Sequence, residues 1–414
     1  MMGKLIAYVS VVGLACAAAT PLGAQAPARA QLPDGNGKEA VATYCGQCHG
    51  LNQVVATGHT PEQWRTVVNM MINDGAKLPQ DQAAMVAEYL ARNFPPKAAP
   101  SPVLVPGPVQ VAIREWDVPT PGSRPHDPLA TADGAIWYTG QMANVLGRLD
   151  PRTGTIKEFP LKTAQSGPHG LMADRDGNIW FTANFKGYIG KLDPRTGQAT
   201  EYPMPDPAAR DPHSLVFDQR GILWFTAQGS NLVGRLDPQS GEVKLLKLSV
   251  PRSNPYGILV NSKGVPFFDE FGGNRIGRID PATMEIKEYT LPDPGARPRR
   301  IAITSDDVVW YTDYARGYLG RLDPQTGAVT EFASPGGPAS RPYGIASVHD
   351  VLFYNESGVE PNTIVRFDPK TQKFQTWTIP SGGGVVRNMS VTPQGDIAIA
   401  CSGVNKVGLV QVKP

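Results

Sequence analysis

A period of 43 or 44 residues runs through the last three quarters of this 414-residue chain. One copy reads "GPHGLMADRDGNIWFTANFKGYIGKLDPRTG", and its neighbours on both sides are close echoes. A proline stands near the start of six copies, at Pro125, Pro168, Pro212, Pro255, Pro298 and Pro342. A seventh, degenerate copy begins at "VVRNMSV" in the same register. A period of this length predicts a repeat architecture.

Each copy contains four short apolar runs, which are separated by Asp-Gly and Asp-Pro turns. Four antiparallel strands in 40–45 residues are typical of one blade of a β-propeller. The last copy ends at Pro414 before its fourth strand, whereas residues 111–118 ("VAIREWDV") resemble that missing strand. We therefore predict a seven-bladed propeller over residues 109–414, closed by the 111–118 strand. A stacked solenoid is the alternative, but it leaves the half-blade and the early strand unexplained.

The region before the repeats has a different texture. Residues 1–30 combine Lys4, an apolar run and small residues around Ala28–Ala30, which predicts a cleaved signal peptide and a periplasmic protein without a membrane span. Lipid anchoring through Cys16 is disfavoured, because Gly13 stands where a lipobox has leucine. Residues 31–95 show helical periodicity, and residues 96–108 form a proline-rich linker. The predicted fold class is therefore multidomain, with a small all-α domain followed by an all-β propeller.

Within the helical region, "CGQCH" brings together Cys45, Cys48 and His49. Cys-x-x-Cys-His is the attachment pattern of c-type haem, in which two thiols form thioethers and the histidine ligates iron. A zinc site would need a second ligand pair at matching spacing, and a thioredoxin-like motif would need a βαβ setting. A Cys45–Cys48 disulfide would leave Cys401 unpaired. We predict one covalent haem c.

The second axial ligand of the iron is predicted from helical spacing. Trp64, Val67, Val68 and Met71 fall on one face of a helix that begins with a capping box at Thr60. Met71 is therefore the favoured ligand, although it could instead be core filling. The other candidates are Met70, Met85 and His59, and His59 is expected to be a solvated loop residue.

This segment resembles the small class I-like cytochrome c domains that are fused to larger periplasmic proteins. In those domains the "CxxCH" motif precedes a tryptophan-containing helix whose methionine ligates the iron. The resemblance covers about 65 residues and implies electron transfer with a periplasmic redox partner.

Two sets of repeat positions are expected to form rings around the propeller channel. The first set, the residue after each repeating proline, is His126, His169, His213, Tyr256, Arg299, Tyr343 and, by register, Arg387. The second set, at the end of each "WFTx", is Gly140, Ala183, Ala227, Glu270, Asp313, Glu356 and Cys401. Both sets vary against near-constant surroundings, which favours a small-molecule site in the channel over simple drift.

Alternatives remain open for these rings. Three neighbouring histidines either bind a transition metal or form a polar rim. Glu270, Asp313 and Glu356 either bind Ca²⁺ or a cationic substrate, or pair with Arg299 and Arg387. Cys401 is expected to be a buried, inert thiol.

The repeats, with their "PHG", "DGNIWFT" and "IGKLDPRTG" motifs, resemble those of streptogramin lyases (virginiamycin B lyase). This resemblance covers residues 109–414 and implies a seven-bladed propeller that opens a cyclic depsipeptide by elimination. It also implies a catalytic histidine after a repeating proline, a glutamate ending "WFTE" in the same blade, a histidine from the preceding blade, and Mg²⁺ held by acids.

The chain departs from that pattern, because no copy carries both the histidine and the glutamate. The nearest surviving group is His213 with Tyr256 and Glu270, and it straddles two blades.

Three functions follow from the sequence. The favoured one is a periplasmic haem protein for electron transfer, whose propeller binds a substrate or partner. The others are a Mg²⁺-dependent C–O lyase with an accessory cytochrome, and a non-catalytic docking scaffold. A net charge of +2 without a basic stripe argues against a nucleic-acid partner.

Overall fold

The structure is a computed structural model that describes residues 31–46, 51–55, 58–73 and 75–413. The predicted signal peptide (1–30) and two predicted haem-site residues, Cys48 and His49, lie outside the described residues.

Helices occupy the N-terminal part. The helical elements in the described residues are α1 (Lys38–Ala40), a π-helical turn (Val41–Cys45), α2 (Leu51–Val55), α3 (Pro61–Asn73), a 3₁₀ turn (Gln80–Gln82) and α4 (Ala83–Asn93). Among the described residues, no helix is both long enough and apolar enough to cross a membrane.

Helix α3 begins and ends where the sequence predicts. The Thr60 and Gln63 side chains each accept a hydrogen bond from the other residue's backbone N–H, at 3.2 and 3.0 Å. Trp64 is buried against α4, and its Nε1 donates to the Phe94 carbonyl at 2.9 Å. The helix stops before Gly75, whose φ of +100° ends the helical path. These helices alone do not identify a cytochrome c domain, which stays a prediction.

Twenty-eight strands in the described residues make seven four-stranded antiparallel sheets, which are the blades. Blade 1 consists of β2 (Pro125–Ala130), β3 (Ile136–Gly140), β4 (Val145–Asp150) and β5 (Thr155–Pro160). Blade 2 consists of β6 (Pro168–Ala173), β7 (Ile179–Ala183), β8 (Tyr188–Leu192) and β9 (Ala199–Pro203). Blade 3 consists of β10 (Pro212–Phe217), β11 (Leu223–Ala227), β12 (Leu232–Leu236) and β13 (Val243–Lys247). Blades 4 and 5 are β14 (Pro255–Val260), β15 (Pro266–Glu270), β16 (Arg275–Ile279) and β17 (Ile286–Thr290); β18 (Pro298–Ile303), β19 (Val309–Asp313), β20 (Tyr318–Leu322) and β21 (Val329–Ala333). Blades 6 and 7 are β22 (Pro342–Val348), β23 (Val351–Glu356), β24 (Thr363–Asp368) and β25 (Lys373–Thr378); β26 (Val386–Val391), β27 (Ile397–Cys401), β28 (Lys406–Lys413) and β1 (Gln110–Asp117).

The ring closes through a strand from the start of the repeat region. Strand β1 pairs antiparallel with β28, from Gln110 opposite Lys413 to Asp117 opposite Lys406. The innermost strand of each blade contacts that of the next, and β26 contacts β2. The predicted seven-bladed propeller is therefore confirmed.

A repeated threonine links neighbouring blades. The Thr182 hydroxyl accepts a hydrogen bond from the Gly170 N–H of its own blade and donates one to the His213 carbonyl of the next blade, both at 2.8 Å. The same donation to the next blade is made by Thr139, Thr226 and Thr312. Because the accepting carbonyls belong to the residues after the prolines, these bonds fix the positions of the side chains around the channel.

The linker is bonded to blade 6. Val105 and Thr376 of β25 exchange hydrogen bonds at 2.7 and 3.0 Å, and the Gln375 side chain donates to the Val109 carbonyl at 2.6 Å. The proline-rich segment therefore runs as an extended chain along the outer edge of that blade.

Candidate functional site

The residues that follow the repeating prolines, called the channel ring below, lie close together at the propeller axis. On blades 1 to 4 the rings of His126, His169, His213 and Tyr256 form a continuous stack. Their successive centroids are 3.7, 3.8 and 3.8 Å apart. All four side chains are buried, with exposures of 2–4%. The structure thus brings three predicted histidines and Tyr256 into one contiguous group.

The three histidines are neutral at neutral pH. Burial is the main cause that lowers their pKa values well below the ordinary range, and neighbouring histidines and arginines lower them further. His126 Nδ1 lies 2.8 Å from Asp127 Oδ1, and His213 Nδ1 lies 3.0 Å from Ser214 Oγ. His169 Nδ1 is buried and has no hydrogen-bond partner in the described part of the chain. A neutral imidazole nitrogen in this setting can accept a proton or a hydrogen bond from a ligand.

Blades 4 to 7 give the same ring a different chemistry. The Arg299 guanidinium lies over four aromatic rings, at centroid distances of 3.9 Å for Tyr343, 4.2 Å for Tyr314, 4.5 Å for Phe271 and 5.3 Å for Tyr256. Such contacts hold a cation by its attraction to the π-faces. Arg387, the seventh member of the ring, donates from Nε to the Ser402 hydroxyl at 3.0 Å.

Two tyrosines join the halves of the ring. The hydroxyl groups of Tyr256 and Tyr343 are hydrogen-bonded to each other. Burial by itself would raise the pKa of Tyr343, but the charges of Arg299, Arg387 and Arg300 outweigh it and lower that pKa to about 8. Tyr343 is therefore an unusually acidic phenol inside the channel.

A second layer, one residue further along each innermost strand, closes the channel. Arg300 Nη2 lies 3.0 Å from Asp127 Oδ1, and Arg300 Nη1 donates to Ser214 Oγ at 2.9 Å. Asn388 Nδ2 donates to the other Asp127 oxygen at 2.9 Å. Beyond this layer a cavity of about 300 Å³ runs along the later residues of the innermost strands, and Leu129 is among its lining side chains.

Sequence reasoning missed Asp127 and Arg300. A signal for them existed, because the repeat read one position later gives Asp127, Gly170, Ser214, Gly257, Arg300, Gly344 and Asn388. The variation in that set is as strong as in the channel ring. Asp211 was missed as well; it is a half-buried carboxyl beside Pro212 that accepts a hydrogen bond from the Asn184 side chain. Burial raises the pKa of Asp211 to about 7.

The second predicted ring is wrong as a channel lining. Its positions lie opposite the first residue of each innermost strand. Asp313 and Glu356 bond to residues of their own blade or of the connection that leads into it. Asp313 pairs with Arg316 at 2.8 Å, and Glu356 accepts from Ser334 and Thr363 at 2.6 and 2.8 Å. Neither acid pairs with Arg299 or Arg387, and together with Glu270 they form no ion site among the described residues.

Glu270 also differs from its predicted role beside His213 and Tyr256. Its buried carboxylate oxygens have no hydrogen-bond partner in the described part of the chain, and its charged neighbours are Arg275 and Glu288 of its own blade. Burial first, and Glu288 after it, raise its pKa to about 7. Cys401 is fully buried, and burial raises the pKa of its thiol well above the ordinary value, as expected for an inert thiol.

A metal at the histidines would have to use His126, Asp127 and His169, the one group of suitable ligands in the described ranges. Asp127 already neutralises Arg300 and bonds to His126. The group therefore fits a hydrogen-bond network better than a cation site.

The helical segment lies against the face of the propeller to which the channel ring belongs. Arg124, which precedes Pro125, donates from Nη1 to the Met70 sulfur at 2.9 Å. Arg210 closely approaches Gly75, so that a side chain there would meet its guanidinium. Burial, and after it the charges of Arg341 and Arg387, lower the pKa of His59, so His59 lies near both arginines. Contacts from several blades thus hold α3 over the mouth of the channel.

The described residues of the predicted haem site fit that group in part. Cys45 is half-buried against the helical core, and Met71 is half-buried on α3 without belonging to that core. The Met70 sulfur accepts a hydrogen bond from Arg124, and Met85 packs against the helical core. His59 is not solvated, since it is half-buried with its ring 4.7 Å from that of Trp64.

Comparison with known proteins agrees with this fold. The profile of the virginiamycin B lyase family matches residues 108–265 and 235–413, which together span most of the chain. The chain belongs to the virginiamycin B lyase family. No protein with a curated description matches it in sequence.

Solved structures of the family are similar to the propeller. A streptogramin B lyase structure shares 28% identity, with a TM-score of 0.67, over 73% of this chain and 98% of its own. A catalytically inactive histidine-to-alanine variant of virginiamycin B lyase from Staphylococcus aureus, in a structure with quinupristin, shares 26% identity with a TM-score of 0.66 over 73% and 99%. The helical N-terminal segment precedes the region matched by the family profile.

Proposed function

We propose that this chain is a periplasmic c-type haem protein for electron transfer, whose propeller holds a small molecule in the channel ring. The observation that carries the proposal is the position of α3. This helix bears the predicted ligand Met71, and its neighbour Met70 contacts Arg124 at the mouth of the channel. A redox group on the helical segment and a ligand in the ring would therefore be neighbours.

The chain's own residues define the roles. Cys45 and Cys48 would hold the haem through thioethers, and His49 and Met71 would ligate its iron. When bound, the haem would supply one-electron exchange with a periplasmic redox partner. The neutral His169 and His213 would accept hydrogen bonds or protons from a ligand, while the arginine-bearing blades would attract negative charge. Arg300 spans the channel from blade 5 to Asp127 of blade 1, and it would keep the ligand on the side of the channel ring.

The test is covalent haem in the full-length protein, expressed with the cytochrome c maturation machinery and exported. We expect a pyridine haemochrome spectrum of c-type haem that survives denaturation. The double variant Cys45→Ser/Cys48→Ser should lose it entirely. Cys401→Ser is the matched control, because this thiol is buried in blade 7, and it should retain the spectrum. Wild-type protein without covalent haem would rule out the proposal.

A second candidate function is the elimination reaction of the family. It is favoured by one observation: His213 is neutral, buried and in contact with Tyr256. In such a reaction His213 would take a proton from the carbon next to the ester-bearing carbon. A C=C bond would form as the C–O bond breaks and its electron pair leaves with the carboxylate. The resemblance implies Mg²⁺ as a cofactor.

This candidate is tested by incubating the full-length protein with quinupristin and Mg²⁺. Elimination would yield a linear product of unchanged mass, which chromatography separates from the ring. His213→Ala should lower the rate at least about 100-fold, whereas His349→Ala, on an exposed turn of blade 6, should not. An intact ring after prolonged incubation would remove the lyase reading and leave the haem proposal untouched.

A further inference from the structure

We propose that the channel ring binds a carboxylate anion through Arg299, with Arg387 and Arg341 supplying further positive charge. This inference rests on the proposed small-molecule site and names the class of its ligand. The carboxylate belongs either to a small organic acid or to a haem propionate, because the helical segment lies over the same mouth.

Arg299 is a preorganised cation without a counter-ion. No carboxylate pairs with it among the described residues, and its buried Nε has no hydrogen-bond partner there. Its neighbour in sequence, Arg300, shows the contrast, since Asp127 lies 3.0 Å away and neutralises it. An unpaired charge at such a place is costly, so a site that retains one is suited to an anion from outside.

The surroundings keep this cation available. Four aromatic faces hold the Arg299 guanidinium without neutralising it. Two of the acids on the second strands bond elsewhere, because Asp313 pairs with Arg316 and Glu356 accepts from hydroxyl donors. Burial raises the pKa values of the other two, Asp269 and Glu270, which favours their neutral forms. The described residues also give Arg387 and Arg341 no carboxylate partner.

The chemistry of the walls favours a planar carboxylate. A guanidinium presents parallel N–H donors that match the two oxygens of a carboxylate. Phe271 and Tyr314 beside it are half-buried, and the parts of their rings that Arg299 leaves uncovered suit an apolar or aromatic remainder. The ring residues opposite, His169 and His213, are neutral and do not repel an anion.

The experiment is isothermal titration of the full-length protein with acetate, succinate and benzoate, and with benzamide as the uncharged match of benzoate. It is run on haem-loaded protein and on the haem-free Cys45→Ser/Cys48→Ser variant. We expect at least one carboxylate to bind, and benzoate to bind at least tenfold more tightly than benzamide. Arg299→Gln should remove that preference, while Arg299→Lys, which keeps the charge, should retain part of it. Arg195→Gln, on an exposed turn of blade 2, is the control for net charge and should change nothing.

Comparison of the haem-loaded with the haem-free protein distinguishes the two sources of the carboxylate. Binding to both forms assigns the site to a small organic acid. Binding to the haem-free form alone, together with a shift of the haem reduction potential in Arg299→Gln, assigns it to a haem propionate. The proposal is overturned if no carboxylate binds either form, or if Arg299→Gln, shown by circular dichroism to be folded, binds benzoate as wild type does. Haem attachment is read separately from the pyridine haemochrome spectrum, so a failure here is distinguishable from a failure of the haem proposal.

Discussion

The two sides of the channel ring share one scaffold and differ in charge. The histidine side, on blades 1 to 3, presents His126, His169 and His213, which are stacked and neutral. The arginine side, on blades 4 to 7, presents Tyr256, Arg299, Tyr343 and Arg387, with cations among aromatic rings. Both sets follow the first residue of an innermost strand. The difference shows that the repeat fixes where a side chain stands, whereas the individual residue decides what it does there.

Arg300 connects the two sides, because its side chain extends from blade 5 and bonds to Asp127 of blade 1 and Ser214 of blade 3. Among the variants that test the difference between the two sides, we expect Arg300→Met to change the free energy of unfolding most. It leaves the buried Asp127 carboxylate without its cation, which should lower the free energy of unfolding by about 3–5 kcal/mol. Urea unfolding at pH 7 measures it.

The double variant Asp127→Asn/Arg300→Met is the control for that loss. Without a buried charge on either residue, it should recover much of the stability. If Arg300→Met alone were as stable as wild type, the Arg300–Asp127 pair would not hold the two sides together.

The arginine side should affect the stability of the protein at alkaline pH. Tyr343 has its pKa lowered to about 8 by Arg299, Arg387 and Arg300, against about 10 in the unfolded chain. Between these values the unfolded state binds more protons, so ionisation of Tyr343 makes the folded state more stable as pH rises. The stability advantage of wild type over Tyr343→Phe should therefore grow between pH 8 and 10, by at most about 2.7 kcal/mol. Parallel urea titrations at pH 7 and 10 test this, and an advantage independent of pH would contradict it.

The histidine side should affect the stability of the protein at acid pH. Burial lowers the pKa of His169 well below its ordinary value, so below about pH 6.5 the unfolded chain takes up a proton that the folded chain does not. Stability is then lost as pH falls. His169→Gln should reduce the slope of stability against pH by about 1.4 kcal/mol per pH unit in this range. The raised pKa values of Asp211 and Glu270 act in the opposite direction, but both proteins share them. Equal slopes would show that His169 is protonated inside the fold.

The fold was predictable because its signal is repeated. Seven copies of the same four strands, and the unmatched strand at 111–118, determine the blade count and the closure independently of any single residue. The capping box at Thr60 and the stop at Gly75 were equally local, and the structure has both.

The site was less predictable because its contacts cross the channel. The channel ring followed from the period, but whether a ring residue faces the axis or its own blade depends on the strand it occupies. Asp313 and Glu356 therefore bond within their own blades or to the connections that lead into them, and the charged neighbours of Glu270 belong to its own blade. The pairing of Arg300 with Asp127 joins blades that are 173 residues apart in sequence. No local pattern specifies such a pair.

The smallest expected effect concerns the threonine that links one blade to the next. Thr226 on the histidine side donates to the Tyr256 carbonyl at 2.7 Å, but blade 4 has Asp269 at this position. Asp269 Oδ2 accepts from the Gly257 N–H at 3.1 Å, while the buried Oδ1 has no partner in the described residues, and burial raises the pKa of this carboxyl well above its ordinary value. Asp269→Thr should restore the link and raise the free energy of unfolding by about 1 kcal/mol, whereas Thr226→Val should lower it by about the same amount. Denaturant midpoints measure both. If Asp269→Thr instead destabilises the protein, this carboxyl stabilises the arginine side, and the two sides differ in their links between blades as well as in their ring.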